Sequence, residues 1–296
     1  ATQKGKLQAT TTTTLKAGSM VRLRAEVSRG QLTLRVIEYR SLEELLLEKK
    51  IKSLLQSLKP EGGSLKQLVS VSKEGSVKAL LPESIKLESI IKSIETLIEN
   101  PEDIKETIRQ SGILLESHLK HNIKDLIDQD LKANLLKIKS HLEDMAKEKA
   151  LPEALKSLKE STERLLQTIE YFQFKSKMND ALQLFLPYVW RELEDGSLEF
   201  RRQRGSPKKL LYHCIIKLNL INHGKLLVIV TQEAEGIHIS MFSEKTKLGE
   251  LLQKQSGLLK KRLVESGIRL KNLTIEQQKR LELVERSLEK GLTIRA

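Results

Sequence analysis

Apolar and polar positions change their period along this chain, and each change marks an element. From Val21 the residues alternate, with Val21, Leu23, Ala25 and Val27 against Arg22, Arg24, Glu26 and Ser28. After a turn at Arg29-Gly30, Leu32, Leu34 and Val36 answer them. A period of two belongs to a half-exposed strand, so this stretch predicts a β-hairpin. An isolated hairpin is marginal in water. Residues 69–80, with Glu74-Gly75 as a turn, are expected to supply a third strand and complete a small barrel-like sheet. Between the two, Ser41-Leu42-Glu43-Glu44 is a capping box opening a helix to about Leu58, which Pro60-Glu61-Gly62-Gly63 stops.

The period then lengthens. Leu87, Ile90, Ile91, Ile94 and Leu97 share one face of a helix expected over residues 85–99. Asn100-Pro101-Glu102-Asp103 starts another, with an N-cap, a first-turn proline and acids at the positive end of the dipole. Ser111-Gly112 is placed to bend it. Leu131, Leu135, Ile138, Leu142 and Met145 are spaced alternately four and three apart. Leu151, Leu155, Leu158, Thr162, Leu165, Ile169 and Phe172 continue that narrow coiled-coil seam. Leu151-Pro152 interrupts it, because the residue before proline avoids the helical region. The expectation is an antiparallel helical hairpin, 126–149 against 152–180. A self-paired dimer would satisfy the same pattern, so the oligomeric state stays open.

Alternation returns towards the C-terminus. Leu186-Pro187 ends the helical pattern and leads into Trp190, and Asp195-Gly196 offers residues suited to a tight hairpin turn. Tyr212, Cys214, Ile216, Leu218 and Leu220 point one way. Beyond Asn222-His223-Gly224, Leu226, Val228 and Val230 keep the period, and beyond Glu235-Gly236 so do Ile237, Ile239 and Met241. That predicts an antiparallel meander. Leu248, Leu251, Leu252, Leu259 and Leu263 then fall near one helical face, and Gly267 sits where a left-handed C-cap belongs. Residues 268–275 read as a last strand, and Thr274-x-x-Gln277 as the start of an amphipathic tail helix with Leu281, Val284 and Leu288. The chain is thus expected to be α+β, mostly helical before the C-terminal sheet. Residues 1–14 form a threonine-rich flexible tail, 15–82 a small β-containing region with an inserted helix, and 83–182 a helical region. Residues 183–275 make an α+β domain, and 276–296 the tail helix.

The run Leu220-Ile221-Asn222-His223-Gly224-Lys225-Leu226-Leu227-Val228, followed by a helix closing on Leu263-Val264-Glu265-Ser266-Gly267-Ile268-Arg269-Leu270, resembles the C-terminal domain of the flagellar hook-length control protein family. The similarity covers about residues 183–275, and Leu186-Pro187-x-x-Trp190 is similar to the lead-in of a subgroup. Many members carry a Pro-Glu pair and Leu-Gly at the turn, where this chain has Asn222-His223-Gly224. The resemblance implies a non-enzymatic protein whose C-terminal domain binds the export-gate switch protein of the flagellar type III apparatus. There it switches export from rod–hook to filament components. Hook and hook-cap proteins are further implied partners. The resemblance assigns Leu226, Val228 and Leu263, with Gly224 at the turn, to the contact with the gate, although apolar strand and helix positions ordinarily belong to a core. Family members typically carry a long, unfolded, Pro- and Gln-rich segment N-terminally, and this chain carries capped helices instead. A residue spans about 3.3–3.6 Å extended and about 1.5 Å in a helix. A folded N-terminal half therefore measures length poorly unless it unfolds during export.

Charge and chemistry narrow the picture further. A formal charge of +13 favours an anionic partner, while the interspersed acids equally suit a solvated, lysine-rich helical surface. Aromatic residues make up only 3%, and on the basic face of the N-terminal hairpin none stands out for the base stacking that nucleic-acid-binding sheets use. The densest basic cluster is Arg201, Arg202, Arg204, Lys208 and Lys209, flanked by Phe200 and Tyr212. It could hold phosphates or an acidic loop, or simply keep a sheet edge from pairing. Together with the arginine-rich hairpin it makes a cytosolic nucleic-acid-binding protein the alternative function, and a dimerising helical scaffold a third. The lone Cys214 excludes an intramolecular disulfide and lies on an apolar strand face. His118, His121 and Asp125 fall close enough in one helical region to share a face, with His141 as the only other histidine nearby, which is short of a zinc set. There is no phosphate-binding glycine loop, nucleophile elbow or Cys-x-x-Cys pair. No enzyme, cofactor or metal is therefore expected. No apolar run approaches the roughly 18–20 residues of a membrane helix, and no cleavable signal peptide is visible. The expected location is the bacterial cytoplasm, with export through the flagellar type III pathway following from the resemblance.

Overall fold

The computed structural model describes residues 15–28, 31–57, 63–75, 77, 104–179, 181–186, 190–204 and 210–281. They fall into two compact units, one within residues 1–59 and one within 60–296. The expected flexible tail, the helix at 85–99, its successor's start at 100–103, and Val284 and Leu288 lie outside the described residues.

In the first unit β1 (Met20–Ser28) pairs antiparallel with β2 (Gln31–Arg40), with a register shift between Arg22 and Leu23. The helix α1 (Leu42–Ser57) opens on the predicted capping box. The Ser41 backbone N–H donates to Glu44 Oε2 at 2.8 Å, and that of Glu44 to Ser41 Oγ at 3.2 Å. Arg40 ties strand to helix by pairing with Glu38 at 2.7 Å and Glu48 at 3.0 Å.

Among the described residues the expected third strand does not form, and 76 and 78–80 lie outside them. Residues 64–72 are instead the helix α2 (Ser64–Ser72) of the second unit, so the hairpin is a two-stranded sheet rather than a small barrel. Leu65, Leu68, Val69 and Ser72 are its buried residues. That spacing places them on one helical face, and burying it outweighs the strand propensity of the valines.

Short helices follow: α3 (Ile104–Gln110), α4 (Leu115–Lys120) and α5 (Lys124–Gln129). The chain bends at Gly112, where φ is +90° and a Cβ would lie 2.7 Å from Lys132 Cβ. Next, α6 (Leu131–Glu148) and α7 (Glu153–Asn179) make the predicted helical hairpin. Leu135, Ile138, Leu142, Leu155, Leu158, Leu165 and Ile169 are fully buried, so the seam closes within the chain. The same core continues onto Leu184, Phe185 and Leu198 of the sheet, where the rings of Phe172 and Phe185 lie 6.2 Å apart.

The described residues of the sheet run in the order β3 (Leu182–Phe185), β4 (Leu193–Arg204), β5 (Leu210–Leu220), β6 (Gly224–Glu233), β7 (Gly236–Ser243) and β8 (Leu270–Gln277). Neighbours are antiparallel as far as β7, and β8 joins β7 in parallel. A parallel neighbour needs a crossover, which α8 (Thr246–Glu265) provides. Two expectations fail here. Asp195-Gly196 makes no hairpin turn: both residues lie within β4, beside a register shift. Thr274 and Gln277 cap no helix, because they pair with Ser240 and Ser243 along the open edge of β7.

Candidate docking surface

The helix α8 lies across the sheet because its leucines recur on one side. Leu248 is buried against Leu226, Val228 and Ile239, with Leu252 and Leu263 packed around them. Burying an aliphatic side chain of this kind contributes about 1.5–3 kcal/mol. Gly249 allows the start of the helix to approach β7, since a Cβ there would meet Ser243 Oγ at 2.9 Å. At the other end Gly267 has φ +73°, its N–H donates to the Val264 carbonyl at 2.9 Å, and the Ile268 N–H to the Leu263 carbonyl at 2.8 Å. That pair of bonds is a Schellman motif, as the position of Gly267 predicts. Leu251 departs from expectation: it is exposed and stands outside the buried cluster.

The structure brings three of the four residues assigned to the partner contact into one cluster. Leu226 and Val228 face α8 from β6, buried, and Leu263 meets them from the helix, half-buried. Gly224 sits nearby in the turn, with φ +76° and space for a Cβ closed off by Glu244 Oε2 at 2.9 Å and Lys245 Cε at 3.1 Å. Glu244 in turn accepts the Lys225 N–H at 3.1 Å, fastening the turn to the residues before α8.

The basic cluster is divided rather than assembled. Arg201 and Arg202 lie on opposite sides of β4, as neighbours in a strand must. Arg201 is ion-paired with Glu199, whose other oxygen accepts Gln183 Nε2 at 2.9 Å. Beside it His213 Nδ1 lies 3.0 Å from Thr231 Oγ1. Burial first, then the charge of Arg201, lowers the His213 pKa below its ordinary value. Arg202 borders a shallow groove with Lys177, Leu182 and Phe200. Arg204 ends β4 opposite Leu210, and Lys208 and Lys209 lie outside the described residues.

Burial pushes the Cys214 thiol up to about 11, which leaves little thiolate at neutral pH. His118 is buried and His121 exposed, and no group of three His, Cys, Asp or Glu among the described residues could hold a metal. No helix among them is long and apolar enough to cross a membrane.

What pattern reading missed is the open side of α8, where Leu251 and Leu258 are 45% and 48% exposed. The signal was present in the seven-residue recurrence of leucine and lysine there; the expected apolar face included Leu251 but not Leu258.

A meander closed by a parallel strand, with one crossover helix packed on it, defines a compact α+β module. Residues 201–281 match the family model described as Flagellar hook-length control protein FliK. The match covers the C-terminal part of the chain and is to a family of hook-length control. Comparison with curated proteins and with solved structures returns no match.

Proposed function

We propose that the chain is a non-enzymatic hook-length control protein whose C-terminal module binds the export-gate switch protein of the flagellar type III apparatus. Binding turns the specificity of the gate from rod–hook to filament proteins. The family match over residues 201–281 carries this reading. The packing of Leu226, Val228 and Leu263 supports a role for them in seating α8 on the sheet, so that their replacement disturbs the surface offered to the gate. Hook and hook-cap proteins would be met during export from the bacterial cytoplasm. The helical hairpin would have to unfold to pass the channel, and its burial in the same core as the sheet edge sets the resistance to that step.

Deletion of the gene followed by electron microscopy of flagella tests the proposal. Overlong hooks without filaments, restored to normal by the intact chain, are the expected result. Normal hooks and normal motility after deletion would remove it.

A further inference from the structure

Five positions on the open side of α8 follow a four–three spacing: Lys247, Leu251, Lys254, Leu258 and Lys261. On a helix that spacing keeps side chains on one narrow seam. Lysine and leucine alternate along it, so each recurs every seven residues. Both leucines are about half exposed, while Leu248, Leu252 and Leu263 of the same helix pack on the sheet. Among the described residues Lys247 and Lys254 have no ion-pair partner, and Lys261 meets only the exposed Glu265, at 3.8 Å. An exposed pair of that kind holds its lysine weakly.

Gly257 is an independent indication. It lies mid-helix between Lys254 and Lys261, and a Cβ added there would meet nothing within 4 Å. Its φ is not in the left-handed region, so neither backbone conformation nor any neighbour among the described residues requires glycine. Glycine in a helix interior is destabilising relative to alanine. What it offers in return is room for another backbone to come close.

We propose that this seam docks an acidic amphipathic helix of a partner protein. Apolar side chains of the partner, seven residues apart, would rest on Leu251 and Leu258. Its carboxylates would lie beside Lys247, Lys254 and Lys261, and its backbone would pass nearest Gly257. Charge selects the sign, because α8 carries five basic residues against two acidic ones. A second copy of α8 would bring lysine against lysine. An anionic membrane would attract the lysines but gains nothing from the four–three register or from the gap at Gly257. The inference deepens the docking role proposed above by naming the surface and the kind of partner, and the two fail separately, one in flagellar morphology and one in helix binding.

Fluorescence anisotropy with the full chain and three labelled three-heptad peptides provides the test. One peptide has leucine at the seam positions and glutamate beside them, the second has lysine for glutamate, and the third has serine for leucine. The acidic leucine peptide is expected to bind at least about tenfold tighter than either control. Leu258→Ser should weaken it by a similar factor, and Lys254→Glu should shift preference towards the basic peptide. Gly257→Ala separates binding from folding: it should raise the thermal midpoint of the free protein while weakening the peptide about tenfold. Equal binding of the leucine and serine peptides would reduce the surface to bare charge and overturn the proposal. So would affinity untouched by Gly257→Ala, or no binding of the acidic peptide to a chain that circular dichroism shows folded.

Discussion

Lys132 Nζ donates to Glu116 Oε1 at 2.6 Å across the bend that Gly112 makes possible. The lysine side chain is only 9% exposed, and it also donates to Gln173 Oε1 at 2.8 Å. Gln173 Nε2 in turn reaches the Gly112 and Ile113 carbonyls at 3.2 and 3.1 Å and Glu116 Oε2 at 2.6 Å. Burial works to raise the Glu116 pKa, but the hydrogen bond from Lys132, then its own backbone, the Lys132 charge and Gln173, hold it below the ordinary value. One amide and one ion pair thus fasten α4, α6 and α7 together. Lys132→Met removes the donor and leaves the acceptors to water or to nothing. The expected loss is roughly 1–3 kcal/mol, measured by urea denaturation; an unchanged midpoint would show that the bend holds without this cluster.

Asp130 caps α6, accepting the Ala133 N–H at 3.1 Å, yet it is fully buried and its Oδ2 has no partner among the described residues. Burial, only partly offset by the backbone N–H groups of Ala133 and Lys132, raises its carboxyl to about 6 from an ordinary 3.8. The folded state therefore binds the proton more tightly than the unfolded one. Stability from this group is lowest above pH about 6, grows as pH falls through 6, and is complete below about 3.8. A shift of that size corresponds to at most about 3 kcal/mol. Asp130→Asn should flatten this pH dependence between 6 and 4. Chemical denaturation at pH 8, 6 and 4 checks it, and a parallel slope in the variant would contradict the assignment.

Gly196 is where Leu186 folds over β4: a Cβ would fall 2.4 Å from Leu186 Cδ1 and 3.0 Å from the Lys217 carbonyl oxygen. Gly196→Ala is expected to cost about 1–3 kcal/mol by overpacking. In a Leu186→Ala background the same change should cost less, because the clashing methyl is gone. Equal costs in the two backgrounds would place the strain elsewhere.

The cluster beneath α8 predicts a graded response. Leu226→Ala, at a buried position, should destabilise by about 2–4 kcal/mol, and Leu263→Ala, half-buried, by clearly less. Thermal melts report the order. If Leu263→Ala were the more damaging, the end of α8 rather than the strand would hold the helix in place.

Much of this fold was legible in the chain because the signals are local. The Ser41–Glu44 capping box, the Asn222-His223-Gly224 turn, the Gly267 helix end and the alternation of β5 to β7 each depend on residues within a few positions of one another. So does the seam of α6 and α7, whose period alone places Leu135 and Leu165 in the core.

Tertiary structure decided the rest, and in each case a distant partner supplied the deciding contact. Thr274 to Gln277 satisfy a helix start as well as a strand, until α8 delivers them to the open edge of β7. Val69 suits a strand, but Leu65 and Leu68 bury it on a helical face of α2. Asp195-Gly196 suits a turn, but the packing of Leu186 needs that glycine inside β4. Period and turn chemistry are properties of neighbours in sequence, whereas sheet edges, buried ion pairs such as Glu199–Arg201 and the choice of which leucines of α8 stay in water belong to surfaces that exist only once the chain has closed on itself.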